Sequence, residues 1–322
     1  MIIPSIEEQK RSLQITTIIP TFQRPEKLRC AIESVLSQSY PHFWLHVYDN
    51  CSGDETEEVV KSFRDNRIRY TCRPHNIGYV ENFRRALLEV QTPYFSFLCD
   101  DDILAPTFYE ELLAQFQNNS QVGFVACLFS EKKNNSPLIF HKRPIGFFPA
   151  GSTFPDGIYF CGVLFSSIVL NKTHGISSQA SYFIDLDYIT RCLVHFPVVV
   201  IEKYLVQRCS ECGNISETMK DGVEILVEVE SKLLSYISRE ASTCLLFYQR
   251  HYLHRRVSSF WKMLVRKKYK EAELYLNQIS MIISPKRIWF YKIQILLCKR
   301  LSLWRNFLKL YHKKLRYQEE HI

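Results

Sequence analysis

The sequence predicts an α/β protein: a mostly parallel, twisted sheet flanked by helices, followed by a helical C-terminal extension. Three observations lead there. Over the first 130 residues, β-branched and aromatic runs alternate with segments of helical period. The connections are short, so the helices themselves must serve as crossovers between parallel strands. From about residue 223 onward the strand-like runs stop, and Leu, Ile, Phe and Trp interleave with Lys and Arg.

The elements follow in order. "ITTIIP" (15–20) is a buried-type strand ending at Pro20. Pro25 suits a first helical turn, and Leu28, Ala31, Ile32, Val35 and Leu36 then trace the stripe of an amphipathic helix. "FWLHVYD" (43–49) is the second strand. Asp54 with Glu57 resembles a capping pair for a helix running through Val59, Val60 and Phe63. "RIRYTC" (67–72) is a third strand, Pro74 to Gly78 a loop, and Tyr79 to Val90 a helix. "YFSFLC" (94–99) is a fourth strand, and Pro106 to Asn118 another helix. Residues 119–222 are less regular: "EKKNNSP" and "KRPIGFFPAGSTFPDG" surround shorter apolar runs at 158–170 and 193–201.

With 322 residues, 46% of them apolar, the chain can bury one large core with an appendage, or two domains. Eleven cysteines, an odd number without framework spacing and with no secretory signal ahead of them, predict free thiols in a reducing cytoplasm. Cys209 and Cys212 form a lone C-x-x-C with no second ligand pair, so free thiols are expected there rather than zinc. No run of about 18 apolar residues marks a membrane span. The net charge of +8 is unevenly placed: residues 251–322 carry 17 Lys and Arg against 4 Asp and Glu, leaving residues 1–250 at −5.

In parallel sheets, ligands bind outside the carboxyl ends of the strands. At those ends lie Thr21 and Phe22, Asp49 and Asn50, and the three consecutive carboxylates Asp100, Asp101 and Asp102. Neither G-x-G-x-x-G nor G-x-x-x-x-G-K-[ST] occurs, which argues against dinucleotide dehydrogenases and P-loop enzymes. Three adjacent carboxylates repel one another and call for a cation. Hard oxygen donors suit Mn²⁺ or Mg²⁺, with phosphate oxygens completing the shell. The bland alternative is a solvated acidic turn, or a cap for the helix near Pro106.

"ITTIIPTFQRPEKLRCAIESVLSQSYPHFWLHVYDNCSGDET", "NIGYVENFRRAL" and "YFSFLCDDDILAP", in this order, resemble the successive blocks of a family 2 glycosyltransferase of the GT-A fold. The resemblance runs over about residues 14–116 and more weakly to about 216, and implies a catalytic domain over 1–222 with a nucleotide-sugar-binding half at about 14–118 and an acceptor-side half at 119–222; the basic helical extension at 223–322 falls outside it. It also implies inverting transfer of a sugar, UDP-linked by family habit, from a nucleotide-diphospho-sugar. Asp100 would face the ribose, while Asp101 and Asp102 would hold the metal. Asp49 would bond the base, and Pro20, Thr21, Phe22 and Arg24 would line the nucleotide-sugar loop. Asn76 and Gly78 match the N-x-G loop. "YFIDLDYITRCL" (182–193) is similar to the family's E-D-x-D-L-x-x-R motif, with Ile184 in place of the first acid. Asp185 falls on the catalytic base, Asp187 is the runner-up, and Arg191 is the supporting arginine. Helical spacing keeps Asp185 and Asp187 off one face, so one of them is expected to pair with Arg191. Arg208 would fit a diphosphate contact.

The basic tail reads as a packed helical subdomain or as an interfacial helix on an anionic membrane surface, on the inner face of the cell membrane. No nucleic-acid motif accompanies it. Acceptors would be a glycan or lipid-linked hydroxyl in cell-surface polysaccharide or glycolipid synthesis. The alternatives are a silent nucleotide-sugar-binding or membrane scaffold, and a nucleotidyltransferase, though "PTFQRPE" lacks the glycine-rich loop of the latter.

Overall fold

A computed structural model describes residues 14–132, 139–140, 145–152, 158–178, 180, 183–209, 222–280 and 285–300. The expectations placed on Cys212, on the rest of 210–221 and on the tail beyond 300 lie outside the described residues. The chain divides into two compact units, Met1–Thr218 and Met219–Ile322.

The first unit is built on β1 (Ile15–Thr21), α1 (Pro25–Leu36), β2 (Phe43–Asp49), α2 (Thr56–Ser62), β3 (Ile68–Cys72), α3 (Tyr79–Leu88) and β4 (Tyr94–Phe97). β5 (Ile103–Leu104), α4 (Phe108–Asn118), β6 (Phe124–Lys132), β7 (Ile139–Phe140) and β8 (Gly146–Phe148) follow. A 3₁₀ turn (Phe160–Gly162) leads into β9 (Val163–Ser166), then α5 (Leu170–Thr173), α6 (Ile184–His195) and β10 (Val198–Cys209). The sheet runs β3-β2-β1-β4-β9-β6-β10-β5. Its long ladders are parallel: β1 with β2 and β4, β2 with β3, and β6 with β10. The shorter pairings of β9 with β4 and β6, and of β5 with β10, are antiparallel.

Hydrophobic pattern explains the order. All seven residues of β1 are buried, as befits a strand covered on both faces. The stripe Leu28, Ala31, Ile32 and Val35 of α1 sinks into the core beside Leu45, Val47, Leu112 and Leu164. Polar groups inside the sheet are paired: Thr17 Oγ1 lies 2.8 Å from Ser96 Oγ and 2.5 Å from the Tyr109 hydroxyl. Gly123, at the entry to β6, is a close-approach glycine, because a Cβ there would stand 2.4 Å from Cβ of Phe196.

Two local expectations are corrected. Asp54 does not form a capping box with Glu57; its Oδ1 accepts the Thr56 amide (3.0 Å) and hydroxyl (2.5 Å) instead. β4 ends at Phe97, because the backbone turns at Cys99–Asp102, where the Asp102 amide donates to the Cys99 carbonyl at 3.1 Å.

In the second unit, α7 (Gly222–Glu240), α8 (Leu245–Val265), α9 (Tyr269–Ser280) and α10 (Pro285–Arg300) account for the described residues with one short 3₁₀ turn. Phe260, Leu264, Ala272, Tyr275, Leu276, Ile295 and Cys298 form a core of its own. A buried ion pair joins Arg256 Nε to Glu230 Oε2 at 2.8 Å. Charged and apolar side chains are scattered around α10 rather than sorted onto two faces, unlike an interfacial helix. No described helix is long and apolar enough to cross a membrane.

Candidate donor and acceptor site

β1 lies between β2 and β4, both parallel to it, so the chain leaves β1 at a switch in strand order. The carboxyl ends of these three strands bring distant residues together. Thr21 Oγ1 donates to Asp100 Oδ2 at 2.8 Å. Arg24 Nη1 sits 3.2 Å from Asp100 Oδ1 and 3.2 Å from Asp101 Oδ2, bridging the two carboxylates. Burial pushes the Asp100 carboxyl up to about 6, against the pull of Arg24 and Thr21. Asp102 is 5% exposed. Asp100 and Asp101 thus share one guanidinium, and Asp102, next in sequence, is buried.

The Phe22–Arg24 loop is tied down. Gln23, at φ 56°, donates its amide to Ser52 Oγ (2.8 Å) and its side chain to the Ser52 carbonyl (3.2 Å). Pro20 is buried in β1, while Phe22 is 38% exposed and so presents a ring to solvent rather than to the core. Asp49 is 2% exposed and heavily engaged: Oδ1 accepts the Ser52 amide (3.0 Å) and hydroxyl (2.5 Å), and Oδ2 the Tyr70 hydroxyl (2.6 Å). Any contact with a base would share a carboxylate that already organises its own loop.

Asn50 and Asn76 knit two loops together. Asn50 Nδ2 donates to Asn76 Oδ1 (2.8 Å), the Ile77 amide donates to Asn50 Oδ1 (2.9 Å), and the Gly78 amide donates to Asn76 Oδ1 (2.8 Å). Gly78 caps α3 at φ 85°, with nothing near the position of a Cβ. Its glycine is required by backbone conformation, not by space.

Asp185 and Asp187 both fall in the first turn of α6. Asp187 pairs with Arg191, whose Nε lies 3.2 Å from Oδ2 and whose Nη1 and Nη2 reach the carbonyls of Thr173 (2.9 Å) and Gly175 (2.5 Å). This buried clamp fastens α6 to the end of α5. Asp185 is half-buried and accepts the Leu186 amide at 2.8 Å. Tyr79 opens α3, with its ring centroid 4.7 Å from that of Phe83, and burial is the first cause that raises its phenol well above the usual range.

The Arg208 guanidinium lies over the rings of Tyr159 (4.4 Å) and Phe129 (5.3 Å). Sequence reasoning missed Tyr70 and Ser52, whose partners are 20 or more residues away or carry no motif signal. It also missed the thiols of Cys99 and Cys161 beside Asp102, which lie together with one of its carboxylate oxygens.

Residues 16–170 match the profile of Glycosyl transferase family 2. That stretch, 155 of the 322 residues, carries the family 2 pattern. Among curated relatives is an Escherichia coli UDP-Glc:alpha-D-GlcNAc-diphosphoundecaprenol beta-1,3-glucosyltransferase, WfgD, 26% identical over 161 residues. That alignment covers 49% of this chain and 60% of the relative. With other curated relatives the chain spans only 30% and 36% of their lengths. Among solved structures, S. aureus TarS 1–349 in complex with UDP-GlcNAc superposes with a TM-score of 0.62 at 15% identity, covering 94% of this chain and 92% of that one. A mannosyltransferase from Pyrobaculum calidifontis in complex with GDP-Man and Mn²⁺ superposes at 0.59 with 12% identity, over 92% of this chain and 83% of the other. The fold is accordingly GT-A.

Whether the strand-end carboxylates suit a divalent ion can be judged from their surroundings. Arg24 shows that a positive group sits stably between Asp100 and Asp101. Asp102 is 5% exposed and its carboxylate converges with the thiols of Cys99 and Cys161, so the hard pair of donors is Asp100 and Asp101. The donor set is hard and anionic, and it fits Mn²⁺ or Mg²⁺.

Proposed function

We propose that the chain is a metal-dependent, inverting glycosyltransferase that moves a sugar from a nucleotide-diphospho-sugar, UDP-linked, to a hydroxyl of a glycan or lipid-linked acceptor. The observation that carries this reading is the convergence of Thr21, Arg24, Asp100 and Asp101 at the carboxyl ends of β1 and β4, beside a switch in strand order. A donor site and a base on the acceptor side are what a single displacement needs.

In this reading Phe22 stacks on the base, with Pro20 and Asp49 supporting its loop. The Asn50–Asn76 clasp and Gly78 fix the neighbouring loop. Thr21 holds Asp100 toward the ribose, and Asp101 and Asp102 hold the divalent ion, which when bound supplies positive charge against the diphosphate. Arg24 is freed from the carboxylates to meet phosphate oxygens. Asp185 takes the proton of the acceptor hydroxyl as its oxygen bonds to the anomeric carbon. The bond from that carbon to the diphosphate breaks on the opposite face, and its electron pair leaves with the nucleotide. The Asp187–Arg191 clamp keeps α6, and with it Asp185, in place. Arg208, whose guanidinium lies over Tyr159 and Phe129, is the diphosphate contact of this reading.

The relatives named above, one using UDP-Glc with a diphosphoundecaprenol-linked acceptor, support a role in cell-surface polysaccharide or glycolipid synthesis. The basic charge of residues 251–322 supports action beside an anionic leaflet, through the second unit as a whole rather than through α10 alone.

The test is calorimetric titration of UDP, GDP and dTDP with and without Mn²⁺, followed by product formation with Asp185→Asn. Metal-dependent binding of one nucleotide, retained in Asp185→Asn while transfer falls by about 10²–10⁴-fold, is the expected result. Binding of none of the three by the folded protein removes the donor site. Undiminished transfer by Asp185→Asn removes the base.

A further inference from the structure

Beside the hard carboxylates lies a soft pair. The thiols of Cys99 and Cys161 and a carboxylate oxygen of Asp102 all lie within 4.8 Å of one another. Ligands of a tetrahedral zinc ion are about 3.5–4 Å apart, so modest side-chain rotations would close the three around one ion. The frame that holds them is rigid. Cys99 and Asp102 are the two ends of a turn closed by the Asp102 amide and the Cys99 carbonyl at 3.1 Å. Cys161 sits in the 3₁₀ turn leading into β9, which pairs with β4 just before that turn, from Tyr94↔Ser166 to Ser96↔Leu164.

The chemistry of the pocket favours a soft ion. Cys161 and Asp102 are 4% and 5% exposed, and Cys99 is half-buried. The Cys99 amide donates to Cys161 Sγ at 3.2 Å, a contact that stabilises negative charge on sulfur. Among the described residues no other group of three such side chains converges this way. Mg²⁺ and Mn²⁺ have little use for two sulfurs, whereas thiolate with carboxylate is a zinc-type donor set.

We propose that Cys99, Cys161 and Asp102 form a second, soft-metal site for Zn²⁺ that borrows Asp102 from the donor centre, so that Zn²⁺ excludes the hard ion. The site stands on its own geometry; only the exclusion rests on the donor-site reading. Two thiolates, one carboxylate and an open fourth position make the arrangement accessible to zinc and reversible by chelation.

The experiment titrates the reduced full chain with Co²⁺, in the presence of excess Mg²⁺, and follows the thiolate-to-cobalt charge-transfer band. Zn²⁺ then displaces the cobalt. One equivalent with a thiolate band is expected in the wild type, and affinity should fall by at least about 100-fold in Cys161→Ser, beyond what loss of a mere supporting partner costs. Cys99→Ser and Asp102→Asn carry the same test if Cys161→Ser does not fold. Absence of the band in folded wild type, or its persistence in Cys99→Ser/Cys161→Ser, overturns the proposal. Zn²⁺ should also abolish Mn²⁺-dependent nucleotide binding in the wild type and not in Cys161→Ser. A wild-type band with unaltered nucleotide binding upholds the soft site and counts instead against Asp102 as a donor-site ligand.

Discussion

Replacing Arg24 by Gln tests the donor centre in its metal-free state. Arg24 Nη1 lies 3.2 Å from both Asp100 and Asp101, and its side chain is 28% exposed. At that distance an effective dielectric near 20 gives about 5 kcal/mol of attraction per pair. Desolvation and the exposed part of the guanidinium remove most of it, leaving about 1–2 kcal/mol of net stability. The pH dependence is more telling than the size. Asp100 is held up to about 6 by burial, so Arg24 stabilises the folded state through Asp100 only where that carboxyl is ionised, above about pH 6. Without Arg24 the carboxyl rises further, takes a proton near neutrality and escapes part of the cost. Arg24→Gln should therefore cost more at pH 8 than at pH 5.5, where only the Asp101 pairing is lost. Saturating Mn²⁺ should shrink the deficit at pH 8 to about 0.5 kcal/mol or less, because the ion replaces the guanidinium. The assay is urea unfolding at both pH values, with and without Mn²⁺. A loss equal at the two pH values and untouched by Mn²⁺ would refute the reasoning.

Removing one half of the buried Asp187–Arg191 pair, as in Arg191→Met, should destabilise the first unit by about 3–5 kcal/mol, because Asp187 and the Thr173 and Gly175 carbonyls lose their partner; chemical denaturation reads it. Gly123→Ala should cost at least about 1–3 kcal/mol, since the new methyl would meet Phe196 Cβ at 2.4 Å and Val169 Cγ1 at 3.1 Å; thermal unfolding that matches wild type would remove the close-approach argument. Phe22→Ala should leave the unfolding midpoint nearly unchanged, because the ring is exposed, while weakening nucleotide binding by about 1–3 kcal/mol; calorimetry separates the two effects.

Much of the first unit was legible because its signals are local. The stripe of α1 and the β-branched run of β1 fixed element type, and Pro25 marked the start of α1 through its fixed φ alone. Motif order pointed to Asp100–Asp102 and Asp185, and the i,i+4 spacing of Asp187 and Arg191 foretold their pairing. One misreading was of competing partners. Asp54 had two ways to satisfy the start of α2 and took the nearer one, Thr56. The ring faces under Arg208, on β6 and before the 3₁₀ turn, were contacts that its place in the motif did not announce.

The sequence by itself determined which segments become strands and helices, and where the carboxylates gather along the chain. Period, turn residues and cap chemistry act over a few positions and need no knowledge of the rest. Only the tertiary structure decided what those carboxylates meet. Thr21 and Asp100 are 79 residues apart, and Arg24 and Asp101 are 77, yet each pair is in contact because β1 and β4 lie side by side. Cys161 reaches Asp102 because β9 turns back antiparallel on β4. Such encounters depend on strand order and register, which the whole core sets jointly, and no local pattern encodes them.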